Sequence, residues 1–436
     1  MGEVDRKTSK SFQKTRMKQF ILRHNNSVIY FFLIALALFP VLPTGVESVL
    51  MFGGFLFSVC YFILEGKKFW NKDKTVQLLL FSALFLIFTI SLFYTSDMKT
   101  GVKFIIRLLP TVLFPAIFLF NDKQFLSAKQ FRTIINTYCL AVLLVLLFLH
   151  LTLFPQLYNS SINFWDFRQL IESKIKVHGT YLAMWIGFAT IVLVYKIKSE
   201  ISLKKYFFII ISLLLIAYFF YWQYIIASRM PFAATLIVCF FCLFKNLKQM
   251  IIASIIVSIL VIVVISKVDR IGERFEKLKN YNFTFPEGKY EDNYPNISNE
   301  QIRNGIYFCS FEALKQQPVL GYGVGDVDTK LQSCYDEKFT NTDTYKVISY
   351  NSHNEYLNII LSSGIIGLIL FLFSQVYFLK KAFNRKLGMY VSFVFFIFLN
   401  FCFENILSRH DGVIFFGFFN SLLFFQNKNL NEKSNN

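Results

Sequence analysis

The chain has 436 residues, of which 55% are hydrophobic and 19% aromatic, with 55 Phe and a mean hydropathy of +0.48. A soluble domain cannot carry that much apolar surface, so the composition excludes one and predicts an all-α polytopic membrane protein. The formal net charge of +18 follows from where the Lys and Arg sit between apolar runs, a topology signal rather than a sign of nucleic-acid binding.

Taken in chain order, the apolar runs predict about twelve transmembrane helices, at 28–43, 46–65, 76–94, 104–120, 130–153, 177–195, 206–226, 230–244, 249–266, 356–379, 388–403 and 411–426. The corresponding organisation is a cytoplasmic basic tail (1–27), an N-terminal transmembrane bundle of about nine helices (28–266) and one large loop on the outside (267–355). Three C-terminal transmembrane helices (356–426) and a second cytoplasmic tail (427–436) complete it. With both termini inside, basic residues such as Lys67, Lys68, Lys72, Lys74, Lys196, Lys198, Lys380, Lys381 and Arg385 fall on inside connectors, and the short outside connectors hold few. The basic N-terminal segment reads as retained rather than as a removed signal peptide.

The first five predicted spans contain one notable charge, Arg107, which reads as an anchor snorkelling to the interface. The outside connector 154–176 mixes Trp165, Asp166, Arg168, Glu172, Lys174 and Lys176, and His178 opens the sixth span. It is either a roof over a site or a plain solvated loop. At Ser228-Arg229-Met-Pro231, Arg229 lies between two apolar runs with no carboxylate near it in sequence. A guanidinium there needs an anion or a water-filled cavity, and Pro231 predicts that Ser228-Arg229 begins a helix, where anions bind.

In the large loop, Ile302, Ile306, Phe308, Ala313 and Leu314 recur near helical spacing, which places Arg303 on an amphipathic helix over about 299–317. Cys309 and Cys334 share this loop, and spacing alone leaves their pairing open. Gly321-Tyr-Gly323-Val-Gly325-Asp326 reads as a tight turn, because it lacks the strand and helix of a nucleotide fingerprint. The loop ends at Tyr350-Asn-Ser-His353-Asn354-Glu355-Tyr356, which runs without a break into an apolar helix. A His at such a mouth is placed to accept a proton from a substrate at the membrane surface. A second polar cluster, Glu404 to Arg409, separates the last two spans; it either orients the site or is a short solvated loop.

No internal repeat, P-loop, Gly-x-Ser-x-Gly elbow or His/Cys metal spacing stands out. Arg229, Arg303, His353, Glu404 and Arg409 all fall on the outside, whereas a transporter or flippase places polar groups near the midplane. Arg residues suit a diphosphate held bidentately, and His353 suits removal of a proton from an attacking hydroxyl.

These features together resemble the O-antigen ligase and O-antigen polymerase superfamily of bacterial envelope glycan enzymes. The carrying residues are Ser228-Arg229, Arg303, the Gly321–Gly325 turn, His353-Asn354-Glu355-Tyr356-Leu357 leading to Gly364-Ile-Ile-Gly367, and Glu404-Asn-Ile-Leu-Ser-Arg409. The resemblance implies a GT-C-like, inverting, metal-independent glycosyltransferase of the inner membrane that needs no cofactor. Its donor would be an undecaprenyl-diphosphate-linked glycan, and its acceptor lipid A–core for a ligase or another glycan for a polymerase. By that likeness His353 is the catalytic base, Arg229 and Arg303 bind the diphosphate, and Asn354, Tyr356, Glu404 and Arg409 support them; membrane lipids are the remaining partners.

Overall fold

The computed structural model describes residues 2–121, 126–157, 164–202, 204–243, 284–290 and 297–426. Among them the chain is helical, with a single isolated bridge between Gly288 and Thr342. The first half forms α1 (Gly2–Leu36), α2 (Thr44–Phe69), α3 (Lys72–Phe81), α4 (Ala83–Ser91), α5 (Met98–Leu108), α6 (Pro110–Leu119) and α7 (Ala128–Thr152). Then come the short α8 (Phe154–Leu157), α9 (Phe164–Ile175), α10 (Gly179–Ser202), α11 (Tyr206–Ile226) and α12 (Arg229–Leu243). The loop supplies α13 (Asn299–Gln316), α14 (Val327–Lys338) and α15 (Thr344–Val347), and the C-terminal part α16 (Glu355–Asn384), α17 (Gly388–Phe401) and α18 (His410–Phe424).

Among the described residues, six helical stretches are long and apolar enough to cross a membrane: Thr44–Phe69, Met98–Leu119, Ala128–Thr152, Gly179–Ile201, Tyr206–Ile226 and Glu355–Asn384. A further apolar stretch, Lys72–Tyr94, is bent by 60° between α3 and α4, the geometry of a broken span or of a re-entrant loop. The predicted spans at 230–244, 388–403 and 411–426 appear as the shorter apolar helices α12, α17 and α18. The predicted span 249–266, the start of the large loop and the tail 427–436 lie outside the described residues.

Every residue from Gly412 to Phe424 is buried, so α18, about 22 Å long at 1.5 Å per residue, is enclosed on all sides and serves as the axis of the bundle. Phe415 and Phe419 meet Tyr138 of α7, Phe188 of α10 and Phe393 of α17 at centroid distances between 4.6 and 6.4 Å, mostly edge to face.

Basic side chains close one end of this bundle. Lys74 is buried and donates to the carbonyls of Leu119 (2.9 Å) and Asn121 (3.1 Å), Lys198 donates to Cys242, and Arg385 donates to Phe424 (2.9 Å) and Gln426 (3.2 Å). These carbonyls belong to the C-terminal ends of α6, α12 and α18, where orphan acceptors and the negative dipole end favour a cation. The residues that the sequence marks as the inside edge thus also terminate the helices arriving there.

At the opposite end the loop segment builds its own small core from Ile302, Ile306, Leu331, Tyr335, Phe339, Tyr345 and their neighbours. A disulfide between Cys309 and Cys334, with Cα atoms 5.7 Å apart, joins α13 to α14; it closes the pairing that spacing left open. The α13 start is a reciprocal capping box, Ser298 Oγ accepting from Gln301 N and Gln301 Oε1 from Ser298 N.

The glycine-rich turn is the joint between this cap and the bundle. Tyr322 N and Gly323 N donate to Leu361 O and Ser362 O, and Ile365 N donates to Pro318 O. The polar stretch does run directly into α16, and that helix is interrupted at Gly364 (φ 66°, ψ −175°). The break frees the Leu361 and Ser362 carbonyls for the turn, and a Cβ at Gly364 would stand 1.8 Å from Val319 O. On its other side the turn is held by Asp326, whose carboxylate accepts from Ser96 N (2.6 Å) and Asp97 N (2.8 Å), and by Tyr94 OH, which donates to Leu320 O (2.7 Å). Asp326 therefore serves as an acceptor for the backbone N–H groups of the connector before α5.

Candidate functional site

Where the cap meets the bundle, a cleft of about 430 Å³ opens. Four elements supply its polar lining: Arg168 and Glu172 from α9, His178 and Thr180 at the start of α10, Ser228 and Arg229 at the start of α12, and Glu300 and Arg303 on α13. The loops before α16 and after α17 add Tyr350, His353 and Glu404, with Asn400 from the last turn of α17. Arg229, Arg303, His353 and Glu404, separated by up to 175 positions in sequence, therefore face one space.

His353 is set by its backbone. It lies in the left-handed region (φ 43°), uncommon for a residue with a Cβ, and its N–H donates to Asn351 Oδ1 at 3.0 Å. Its Nδ1 stands 3.6 Å from Glu404 Oε2 and has no hydrogen-bond partner among the described residues. A proton on Nδ1 would face the carboxylate and leave the Nε2 lone pair as the base. Burial raises the Glu404 carboxyl, but His353, His178 and Arg303 outweigh it and hold the group below its ordinary value.

The two loops carrying His353 and Glu404 are laced together. Asn354 Nδ2 donates to Cys402 O (2.9 Å), Ser352 and Asn405 pair at 3.1 to 3.2 Å, and Asn354 Oδ1 caps α16 through Leu357 N (3.0 Å). Tyr356 OH donates to Phe398 O at 3.2 Å. Asn354 and Tyr356 thus position the site without lining it. Arg409 is exposed at the start of α18 and does not line the cleft.

Both predicted arginines find partners that sequence distance hid. Arg229, whose side chain is 81% exposed, pairs with Glu300 on α13, and Arg303 reaches Phe403 O at 3.4 Å. The expected helix start is present, because Ala227 ends α11 in the left-handed conformation and α12 begins at Arg229. Arg107 lies elsewhere, donating to Ser408 O and ringed by Phe104, an anchor between α5 and the 406–408 turn.

The connector read as either roof or solvated loop is a wall of the cleft. Arg168 Nε donates to Glu172 Oε1 (3.0 Å), which also accepts from Gly179 N (2.8 Å), and Arg168 Nη2 donates to Thr180 Oγ1 (3.3 Å). Burial raises the Glu172 carboxyl, yet the Gly179 amide, His178 and Arg168 bring it below its ordinary value; burial lowers the His178 pKa. The Trp165 side chain lies outside the described residues. His178 and Asn400 were not singled out by sequence as site residues, since a His before an apolar run and an Asn within one have many structural explanations. Among the described residues no three His, Cys, Asp or Glu converge as a metal site.

The chain is thus a polytopic helical membrane protein with an Arg- and His-lined cleft at one end of its bundle. Residues 224–372, a segment that includes Arg229, Arg303, the glycine joint and His353, match the family described as O-antigen ligase. No curated protein matches the chain.

Proposed function

We propose that the protein is a membrane glycosyltransferase that moves a glycan from undecaprenyl diphosphate to an acceptor hydroxyl at the periplasmic face, as an O-antigen ligase with lipid A–core as acceptor. The observation that carries this reading is the meeting of Arg229, Arg303, His353 and Glu404 in one cleft. His353 Nε2 takes the proton of the acceptor hydroxyl while its oxygen attacks the anomeric carbon from the face opposite the diphosphate, inverting it. The C–O bond to the diphosphate breaks, and Arg229 and Arg303 hold the lipid diphosphate that leaves; Glu300 is the anion that the donor displaces from Arg229. Glu404 faces His353 Nδ1 and keeps the ring oriented. The disulfide supports an oxidising compartment for the cap, hence a periplasmic cleft in the inner membrane with both termini cytoplasmic.

The test is transfer by purified protein in detergent, from an undecaprenyl-diphosphate oligosaccharide to lipid A–core. Product that disappears in His353→Ala and Arg229→Ala supports a ligase with this site. A ladder formed from donor alone makes it a polymerase with the same chemistry. Full activity in His353→Ala overturns the mechanism.

A further inference from the structure

Resting on the function just proposed, we infer that His178, held by the Arg168–Glu172 pair, and Asn400 form a subsite for a sugar hydroxyl; both residues lie outside the matched segment 224–372. Both line the same cleft as His353. The wall carrying His178 is rigid: Arg168 is bonded to Glu172 and Thr180, Glu172 fixes Gly179 N, and Ser228 Oγ lies 3.4 Å from Thr180 Oγ1. His178 Nδ1 accepts from Thr180 N at 3.4 Å, which leaves the proton on Nε2; that atom is 3.8 Å from Glu172 Oε1, beyond hydrogen-bond reach. Facing that carboxylate at 3.8 Å, the ring N–H has no hydrogen-bond acceptor among the described residues. Burial lowers the His178 pKa.

Asn400 supplies the complement. It is 1% exposed, its Nδ2 is committed to Phe396 O at 2.8 Å, and its Oδ1 has no hydrogen-bond partner among the described residues. A buried amide oxygen without a donor is costly. A hydroxyl both accepts and donates, so one sugar face can satisfy an N–H and a carbonyl oxygen that a phosphate, having no proton to give at neutral pH, cannot. The sugar belongs either to the donor, next to its diphosphate, or to the acceptor.

The experiment measures KM for donor and acceptor separately, in the transfer assay above, for His178→Phe, His178→Gln and Asn400→Leu. Loss of one hydrogen bond to a neutral group predicts a KM raised about three- to tenfold in His178→Phe and Asn400→Leu. The affected substrate identifies the source of the sugar. His178→Gln, which keeps an N–H donor but cannot titrate, should restore KM. Wild-type KM values in both His178→Phe and Asn400→Leu overturn the subsite, as does a His178→Gln variant as impaired as His178→Phe. If His178→Phe does not fold, by gel filtration, Asn400→Leu and His178→Gln decide the matter. Absence of transfer by the wild type overturns the functional reading itself, whereas transfer with unaffected variants overturns the subsite alone.

Discussion

At the scale of single residues, the burial of each charge separates function from stability. The Arg229 side chain is 81% exposed and its bond to Glu300 is a surface pair, worth about 0–1 kcal/mol. Arg229→Ala should therefore leave the thermal midpoint nearly unchanged while transfer falls about a hundredfold, as loss of a charge-stabilising donor does; an equal loss of stability would mark Arg229 as structural. Glu404 behaves differently, because His353, His178 and Arg303 hold its carboxyl below the ordinary value of 4.5 against its burial. A depressed carboxylate contributes stability above its unfolded pKa, and that contribution is lost as pH falls through the lower folded value. Glu404→Gln should thus be less stable than the wild type at pH 7, and the gap should close as both are acidified below about pH 4.5. Parallel stability curves for the two proteins would refute this coupling.

At the scale of elements, the interrupted α16 is the hinge of the design. Its first turns, from Asn354 to Ser363, hold the His353 loop, and its later part crosses the bundle; Gly364 turns one into the other and is filled by the 318–323 backbone. Gly364→Ala would bring a Cβ to 1.8 Å from Val319 O at a positive φ, which costs at least about 1–3 kcal/mol in conformation alone. The expected outcome is a sharp drop in thermal midpoint with loss of activity. Gly45, in the first turn of α2, has nothing within 4 Å of its would-be Cβ, so Gly45→Ala should stabilise by about 0.5–1 kcal/mol. The same thermal scan checks both. The Cys309–Cys334 bond lies within the cap that carries Arg303, and a loop of 25 residues sets its chain-entropy contribution at about 3.5 kcal/mol. Cys309→Ala should lower the midpoint and weaken donor binding together.

Across the whole molecule, the two ends differ in kind. One end is closed by Lys74, Lys198 and Arg385 on helix carbonyls, and the other holds the cap, the disulfide and the cleft. If the basic end faces the cytoplasm, a cysteine placed at the exposed Lys330 of α14 should react with a membrane-impermeant maleimide in spheroplasts, and one placed at the exposed Lys205 only after lysis. The reverse labelling would invert the proposed orientation.

Much of this was legible from residue order. Apolar runs long enough to span a bilayer declare themselves by composition, and so did the Arg229 helix start, the amphipathic helix of Arg303 and the place of His353 at the mouth of α16, because each depends on local chemistry. The pairing of Arg229 with Glu300, the fold-back of the glycine turn onto Leu361 and Ser362, and the exclusion of Arg409 from the cleft depend on which helix ends meet. Contacts between distant segments leave no periodic mark in the chain, so His178 and Asn400 became visible only when packing around α18 brought four helix ends to one space.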